Sequence, residues 1–174
     1  MGKLIHTQQC LKRLLIFAPC RQNRVVARMS SSESKLPPLF SLGKLNHVAI
    51  AVPDMEKSVK FYEEVLNASC SPIEQQPNHG VSTVFIHVGG DTKVELITPL
   101  GENSPIKSFL EKNQSGGLHH ICIDVDDIEK AVEQLGEHKV RTLTKTTKIG
   151  AHGKPVIFLH PNDCNGVLLE LQQK

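Results

Sequence analysis

From Asn46 onward the chain alternates. Val48, Ile50 and Val52 are branched and apolar, while the positions between them carry His47, Ala49 and Ala51. Alternation of period two puts the sets on opposite faces of a strand. The branched face suits packing beneath a helix, and the face with His47 and small residues suits lining a cavity. Asp54 then serves as a helix cap, with Met55, Val59, Tyr62 and Leu66 on one stripe of a helix running to about Asn67. The pattern then returns. His120, Cys122 and Asp124 share one face, and Ile121, Ile123 and Val125 the other. Asp127 (or Asp126) caps a second helix with Ile128, Ala131, Val132 and Leu135 at helical spacing, and Gly136 is its expected stop. One offset of 73 (120 − 47) superposes the histidines, Ile50 on Ile123, Val52 on Val125, and Asp54-x-Glu56-Lys57 on Asp127-x-Glu129-Lys130.

Three further strands are expected after each helix, over about 68–74, 81–88 and 92–98 in the first copy and 140–147, 155–159 and 166–172 in the second. Gly89-Gly90-Asp91 and Asp163-Cys164-Asn165-Gly166 supply matching turns before the last strands. A short linking helix over about 104–113 would start with Ser104 as cap and Pro105 at its first position. The expectation is an α+β domain over 41–174, built of two βαβββ modules at about 44–99 and 117–172.

Composition adds a compartment. An apolar fraction of 39 % supports a packed core. The net charge of +2 conceals an acid-free first 30 residues holding Lys3, Lys12, Arg13, Arg21, Arg24 and Arg28. Without those six, 14 basic residues face 18 acidic ones, a body of −4 (14 − 18). That sign, with no basic cluster interleaved with aromatics, argues against a nucleic-acid binder. The basic leader, with Cys10-Leu11-Lys12-Arg13-Leu14-Leu15-Ile16-Phe17 amphipathic as a helix, has the composition of a mitochondrial transit peptide. Residues 1–40 are expected to be that peptide and a disordered junction, the alternative being a floppy basic tail. Five scattered cysteines without a C-x-x-C pair read as free thiols. No stretch reaches the ~18 apolar residues of a membrane span.

The candidate chemistry tracks the repeat. Glu95 in Lys93-Val94-Glu95-Leu96 and Glu170 in Leu168-Leu169-Glu170-Leu171 each place a carboxylate in an apolar strand, 48 (95 − 47) and 50 (170 − 120) residues after their histidines. Ionised carboxylates are costly to bury unless paired or metal-bound. His47, Glu95, His120 and Glu170 therefore form a candidate pseudo-twofold metal site. Imidazole with carboxylate suits Co, Mn, Zn, Fe or Ni, and the lack of thiolate ligands argues against a structural zinc knuckle. His79 and His87 read as solvated or structural. His119 is expected to face away from the ligand beside it, packing or capping. His152, between Gly150-Ala151 and Gly153-Lys154, lies on a loop that either closes over a substrate or is simply exposed. No P-loop or dinucleotide fingerprint is present.

Paired βαβββ modules with His and Glu on their first and fourth strands resemble the vicinal oxygen chelate superfamily. This superfamily includes glyoxalase I, extradiol dioxygenases and metal-free resistance proteins. Three long runs carry a closer resemblance, to its methylmalonyl-CoA epimerases: Leu45-Asn46-His47-Val48-Ala49-Ile50-Ala51-Val52-Pro53-Asp54, Gly117-Leu118-His119-His120-Ile121-Cys122, and Ile149-Gly150-Ala151-His152-Gly153-Lys154-Pro155-Val156 continuing to Pro161. Gly166-Val167-Leu168-Leu169-Glu170-Leu171 extends it to the last strand. The resemblance implies one divalent ion, Co2+ foremost and Mn2+ or another ion otherwise, held by His47, Glu95, His120 and Glu170. It implies a 1,1-proton transfer at C2 of methylmalonyl-CoA, with Glu170 as a proton carrier. It further implies a homodimer in the mitochondrial matrix, without nucleic-acid or membrane partners, and places Lys154 near a CoA phosphate if its loop closes. Bacterial members often carry Gln where this chain has Glu95. They also place a catalytic Glu after a Gly-Val pair, where Gly80-Val81 here leads to Thr83. Threonine is no base at neutral pH, so Glu95 is expected to take the second acid–base role. A glyoxalase I would use the same four residues. An extradiol dioxygenase would leave Glu95 superfluous, and a metal-free binding module would need the glutamates protonated or paired.

Overall fold

A computed structural model describes residues 38–174; the expected leader and most of its junction, residues 1–37, lie outside the described residues. The first repeat forms strand β1 (Leu42–Ala51) and helix α1 (Met55–Lys60), continued by a π-helical turn (Phe61–Val65). Short strands β2 (Ser69–Cys70) and β3 (Glu74–Gln76) precede β4 (Val81–His87) and β5 (Lys93–Pro99). After the linking helix α2 (Lys107–Lys112) come β6 (Gly117–Val125), α3 (Ile128–Glu137), β7 (Lys148–Ile149), β8 (Pro155–Leu159) and β9 (Leu168–Gln173).

All strands join one sheet in the order β2-β4-β5-β1-β6-β9-β8-β7, with β3 also on β4. The two copies of the repeated strand, β1 and β6, pair antiparallel at its centre. Each is flanked by the last strand of its own module in parallel, β5 beside β1 and β9 beside β6. Strand β4 then pairs antiparallel with β5, and β8 with β9. The order reads alike from either edge, which is the pseudo-twofold the offset of 73 implies.

Both cap predictions hold: Asp54 accepts from Lys57 N at 2.9 Å and Asp127 from Lys130 N at 3.1 Å. Under α1, Met55 packs with Val52, Val84, Ile86 and Leu96; under α3, Ile128 and Ala131 pack with Val125, Ile157, Leu159 and Leu171. The branched faces of β1 and β6 thus serve two small cores, leaving the histidine faces for a site.

Several expectations give way to local chemistry. Leu66 is 55 % exposed rather than on the buried stripe, because the π-helical turn adds a residue to the turn and rotates the positions after it. The strand expected over 68–74 is split at Pro72, which has no N–H for the ladder; Ser71 Oγ accepts from Phe85 N at 2.9 Å beside the break. Gly136 does not stop α3. The left-handed position falls on Lys139 (φ 57), and Val140 N closes on Leu135 O at 2.9 Å. The strand expected over 140–147 is absent except for a single bridge, Thr142 to Leu159. Thr142 and Thr144 there donate their hydroxyls to carbonyls two residues ahead, at 2.8 Å each, a local pairing that competes with a ladder. Ser104 does not cap α2. Its hydroxyl is buried without a hydrogen-bond partner among the described residues, and the helix begins at Lys107.

Candidate metal and active site

Register explains how four distant residues meet. Glu95 lies opposite Ala49 on β1, and Glu170 opposite Cys122 on β6. Ala49 and Cys122 are each two residues past their histidine, so each Glu shares its histidine's face. The unequal sequence spacings of 48 and 50 vanish in space because the connecting loops absorb the difference. Across the centre, Ala49 pairs with His120 and His47 with Cys122, which brings the two half-sites together.

The result is a tight buried cluster. His47 Nε2 lies 3.4 Å from His120 Nε2, 3.4 Å from Glu95 Oε2 and 3.5 Å from Glu170 Oε2. His120 Nε2 lies 3.6 Å from Glu95 Oε2 and 3.3 Å from Glu170 Oε2. All four side chains are buried. Donors about 2.0–2.2 Å from one divalent cation sit roughly 3.0 Å apart at right angles and 3.4 Å at tetrahedral angles. Five separations of 3.3–3.6 Å fit that requirement, and the donor set is the one borderline divalent ions take.

Electrostatics arise from the packing. Burial pulls the His47 pKa down, but hydrogen bonds and charge from Glu170 and Glu95 together outweigh it and lift the pKa to about 9. Burial likewise raises Glu170, yet His120 and His47 bring it down to about 2. Without a cation, then, the cluster holds a proton on imidazole and a charge on carboxylate. Cys122 is fully buried beside the cluster, and burial with the Glu170 charge next to it pushes its thiol up; its Sγ lies close enough to His47 and Glu170 to share a cation with them.

A cavity of about 160 Å³ opens over the cluster, bordered by Thr83, Ile97, His119, His152 and Phe158. Beyond it lies a larger groove of about 960 Å³ that shares His79, His119 and Phe158 with the first and carries Lys112 and Lys148. Thr83 sits at 2 % exposure, and its hydroxyl has no partner among the described residues. His152 does reach the site: its ring stacks on Phe85 at 4.1 Å and stands 5.8 Å from His47. Burial and the charges of Lys93 and His47 hold its pKa below the usual histidine range. His119 packs edge-on against Phe109 as expected, but it also borders the cavity, which alternation alone did not reveal. His79 lines both cavities, whereas His87 is exposed. The one sequence signal for His119 was the offset of 73 (119 − 46), which matches it to Asn46.

Residues 46–158 match the Glyoxalase/Bleomycin resistance protein/Dioxygenase superfamily. The chain belongs to this superfamily. Within it, the chain is 58 % identical over 136 residues to the mitochondrial methylmalonyl-CoA epimerase of Mus musculus, covering 78 % of this chain and 76 % of the mouse protein. Among solved structures, a variant of Streptomyces coelicolor methylmalonyl-CoA epimerase in complex with 2-nitronate-propionyl-CoA superposes with a TM-score of 0.71 at 30 % identity, covering 77 % of this chain and 96 % of that one. A superfamily member of different activity, the lactoylglutathione lyase of Salmonella typhimurium, is 25 % identical over 128 residues, covering 74 % of this chain and 90 % of the lyase.

Proposed function

We propose that this chain is a methylmalonyl-CoA epimerase, interconverting the (2R) and (2S) forms of methylmalonyl-CoA by proton transfer at C2. The observation that carries the reading is the 58 % identity to the mouse epimerase, against 25 % to the lyase that would use the same four side chains. The groove beside the cluster suits the long arm of a CoA thioester, since it joins Leu100 and Leu143 to Lys112 and Lys148.

His47, His120, Glu95 and Glu170 would hold a divalent cation, cobalt by family resemblance. Such an ion supplies Lewis-acid polarisation of the thioester carbonyl, which offsets several kcal/mol of the barrier to removing a weakly acidic C–H. Inversion at C2 also needs one group to take a proton and another to return one from the opposite face. Glu170, whose carboxyl His120 and His47 hold well below the usual range, is ionised at neutral pH and is the first proton carrier in this reading. Glu95 comes from the other module and is the second carrier. Thr83 borders the same cavity, and its buried hydroxyl has no partner among the described residues. Phe85 and Phe158 pair with Glu95 and Glu170 across the sheet; Phe158 borders the cavity, and Phe85 packs on His152 behind it.

The acid-free basic leader and the mitochondrial relative support a mitochondrial matrix address. The family supports a homodimer. Among the described residues no helix is long and apolar enough to cross a membrane.

Cation-replete protein incubated with methylmalonyl-CoA in heavy water is expected to exchange the C2 hydrogen for deuterium while racemising the substrate. Absence of exchange would remove the epimerase reading. Turnover of a glutathione hemithioacetal instead would install the lyase.

A further inference from the structure

Each of the two central imidazoles is held from behind by the residue that precedes it, and the repeat relates the two holders. His47 Nδ1 lies 3.0 Å from Asn46 Oδ1. Asn46 is locked in turn, because its Nδ2 donates to Asp124 Oδ1 at 2.8 Å. Gln172 Nε2 approaches that same carboxylate oxygen at 3.4 Å. On the other side, His120 Nδ1 lies 2.9 Å from His119 Nδ1. The His119 ring stands edge-on to Phe109, with centroids 5.1 Å apart.

A neutral imidazole carries a single N–H, so an Nε2 that is to bind a cation requires the proton on Nδ1. Asn46 Oδ1 is an acceptor only, and its amide nitrogen is committed to a carboxylate. It therefore holds the His47 proton on Nδ1. The short His119–His120 contact accommodates one proton between two nitrogens. When His120 Nδ1 carries it, His119 Nδ1 accepts and the His119 proton sits on Nε2. When His119 Nδ1 carries it, the His120 proton moves to Nε2 and blocks the cation.

We propose that Asn46 and His119 are symmetry-matched positioning residues that fix the Nδ1–H tautomers of His47 and His120 and so present two bare Nε2 atoms to the divalent cation. The two arms are unequal. The Asn46 arm is anchored by a hydrogen bond to the buried carboxylate of Asp124, whereas the His119 arm is anchored by the packing of its ring on Phe109. The inference rests on the reading of the cluster as a cation site.

The test is chelator competition with Co2+ or Mn2+ on wild-type protein and on His119→Phe and His119→Asn, with histidine 15N shifts read on wild-type protein loaded with diamagnetic Zn2+. His119→Phe keeps a ring against Phe109 but deletes the acceptor, and should weaken cation binding by about 10–100-fold. His119→Asn places in the second module the acceptor that the first module uses, and should restore most of that loss. Wild-type affinity in His119→Phe, or a His119→Asn protein as weak as His119→Phe, overturns the proposal. If neither variant folds, the spectrum of the Zn2+-loaded wild-type protein decides: a protonated His120 Nδ1 facing a bare His119 Nδ1 supports it, and a protonated His119 Nδ1 overturns it. Wild-type protein that binds no divalent cation would instead bring down the cluster reading itself.

Discussion

Raising the pH of the cation-free protein strips a proton from the buried cluster, and that proton should compete directly with the cation. With His47 at about 9, the cluster is almost wholly protonated at pH 7. Because Glu170 is held near 2, that carboxylate contributes no proton in this range. The titrating proton belongs to the coupled set rather than to one ring. A cation entering at pH 7 must therefore expel about one proton, and its apparent affinity should lie about 100-fold below the limit reached above pH 9, roughly 2.7 kcal/mol at 1.36 kcal/mol per pH unit. Titration calorimetry in buffers of different ionisation enthalpy counts the protons directly. Release of about one proton at pH 7, declining toward zero above pH 9, is expected; release near zero at pH 7 refutes the electrostatic argument. Stability obeys the same linkage. The His47 pKa is raised on folding, so its contribution is complete below the unfolded value of 6.5 and is lost as pH rises through about 9. The melting temperature of cation-free protein should fall across that window, and cation-loaded protein should lack the decline.

Two further outcomes bear on catalysis and on the core. Glu95→Gln should keep its cation, since the amide oxygen can still coordinate, while losing about 10²–10⁴-fold in racemisation rate; metal content with a coupled racemisation assay checks this, and near-normal turnover would end the acid–base role of Glu95. Leu96→Ala empties a fully buried position between Val84, Ile86 and Met55. It should destabilise the protein by about 2–5 kcal/mol, seen as a lower urea midpoint at unchanged slope, and a midpoint within error of wild type would mean that the core collapses around the gap.

Where sequence-based expectations and structure part, local hydrogen bonding or long-range pairing is responsible. The segment over 140–147 has strand-like composition, yet Thr142 and Thr144 satisfy nearby carbonyls with their own hydroxyls, and Arg141 is clamped by Asp163 at 2.6 Å. Neither clamp nor turn has a signature in residue alternation. His119 was expected to turn away from the ligand beside it. Strand geometry does direct it to the other face near Phe109, but the ring Nδ1 of His120 reaches back to meet it. His152 could have been an ordinary loop residue, and only the stack on Phe85 places it at the cavity.

Residue order alone was enough to establish that two modules exist, which faces of their first strands are apolar, where their helices begin, and that each module offers one histidine and one glutamate. Those are properties of period-two and period-3.6 patterning and of capping chemistry, which act over a few residues. Long-range pairing set the rest: β1 and β6 join each other, and Glu95 and Glu170 register two residues past their histidines. It also brought Asp124 to Asn46 and Phe109 to His119, the partners that anchor the two residues preceding the central imidazoles. Register is a sum of side-chain packing and ladder hydrogen bonds over the whole sheet, and no single stretch of the chain contains it.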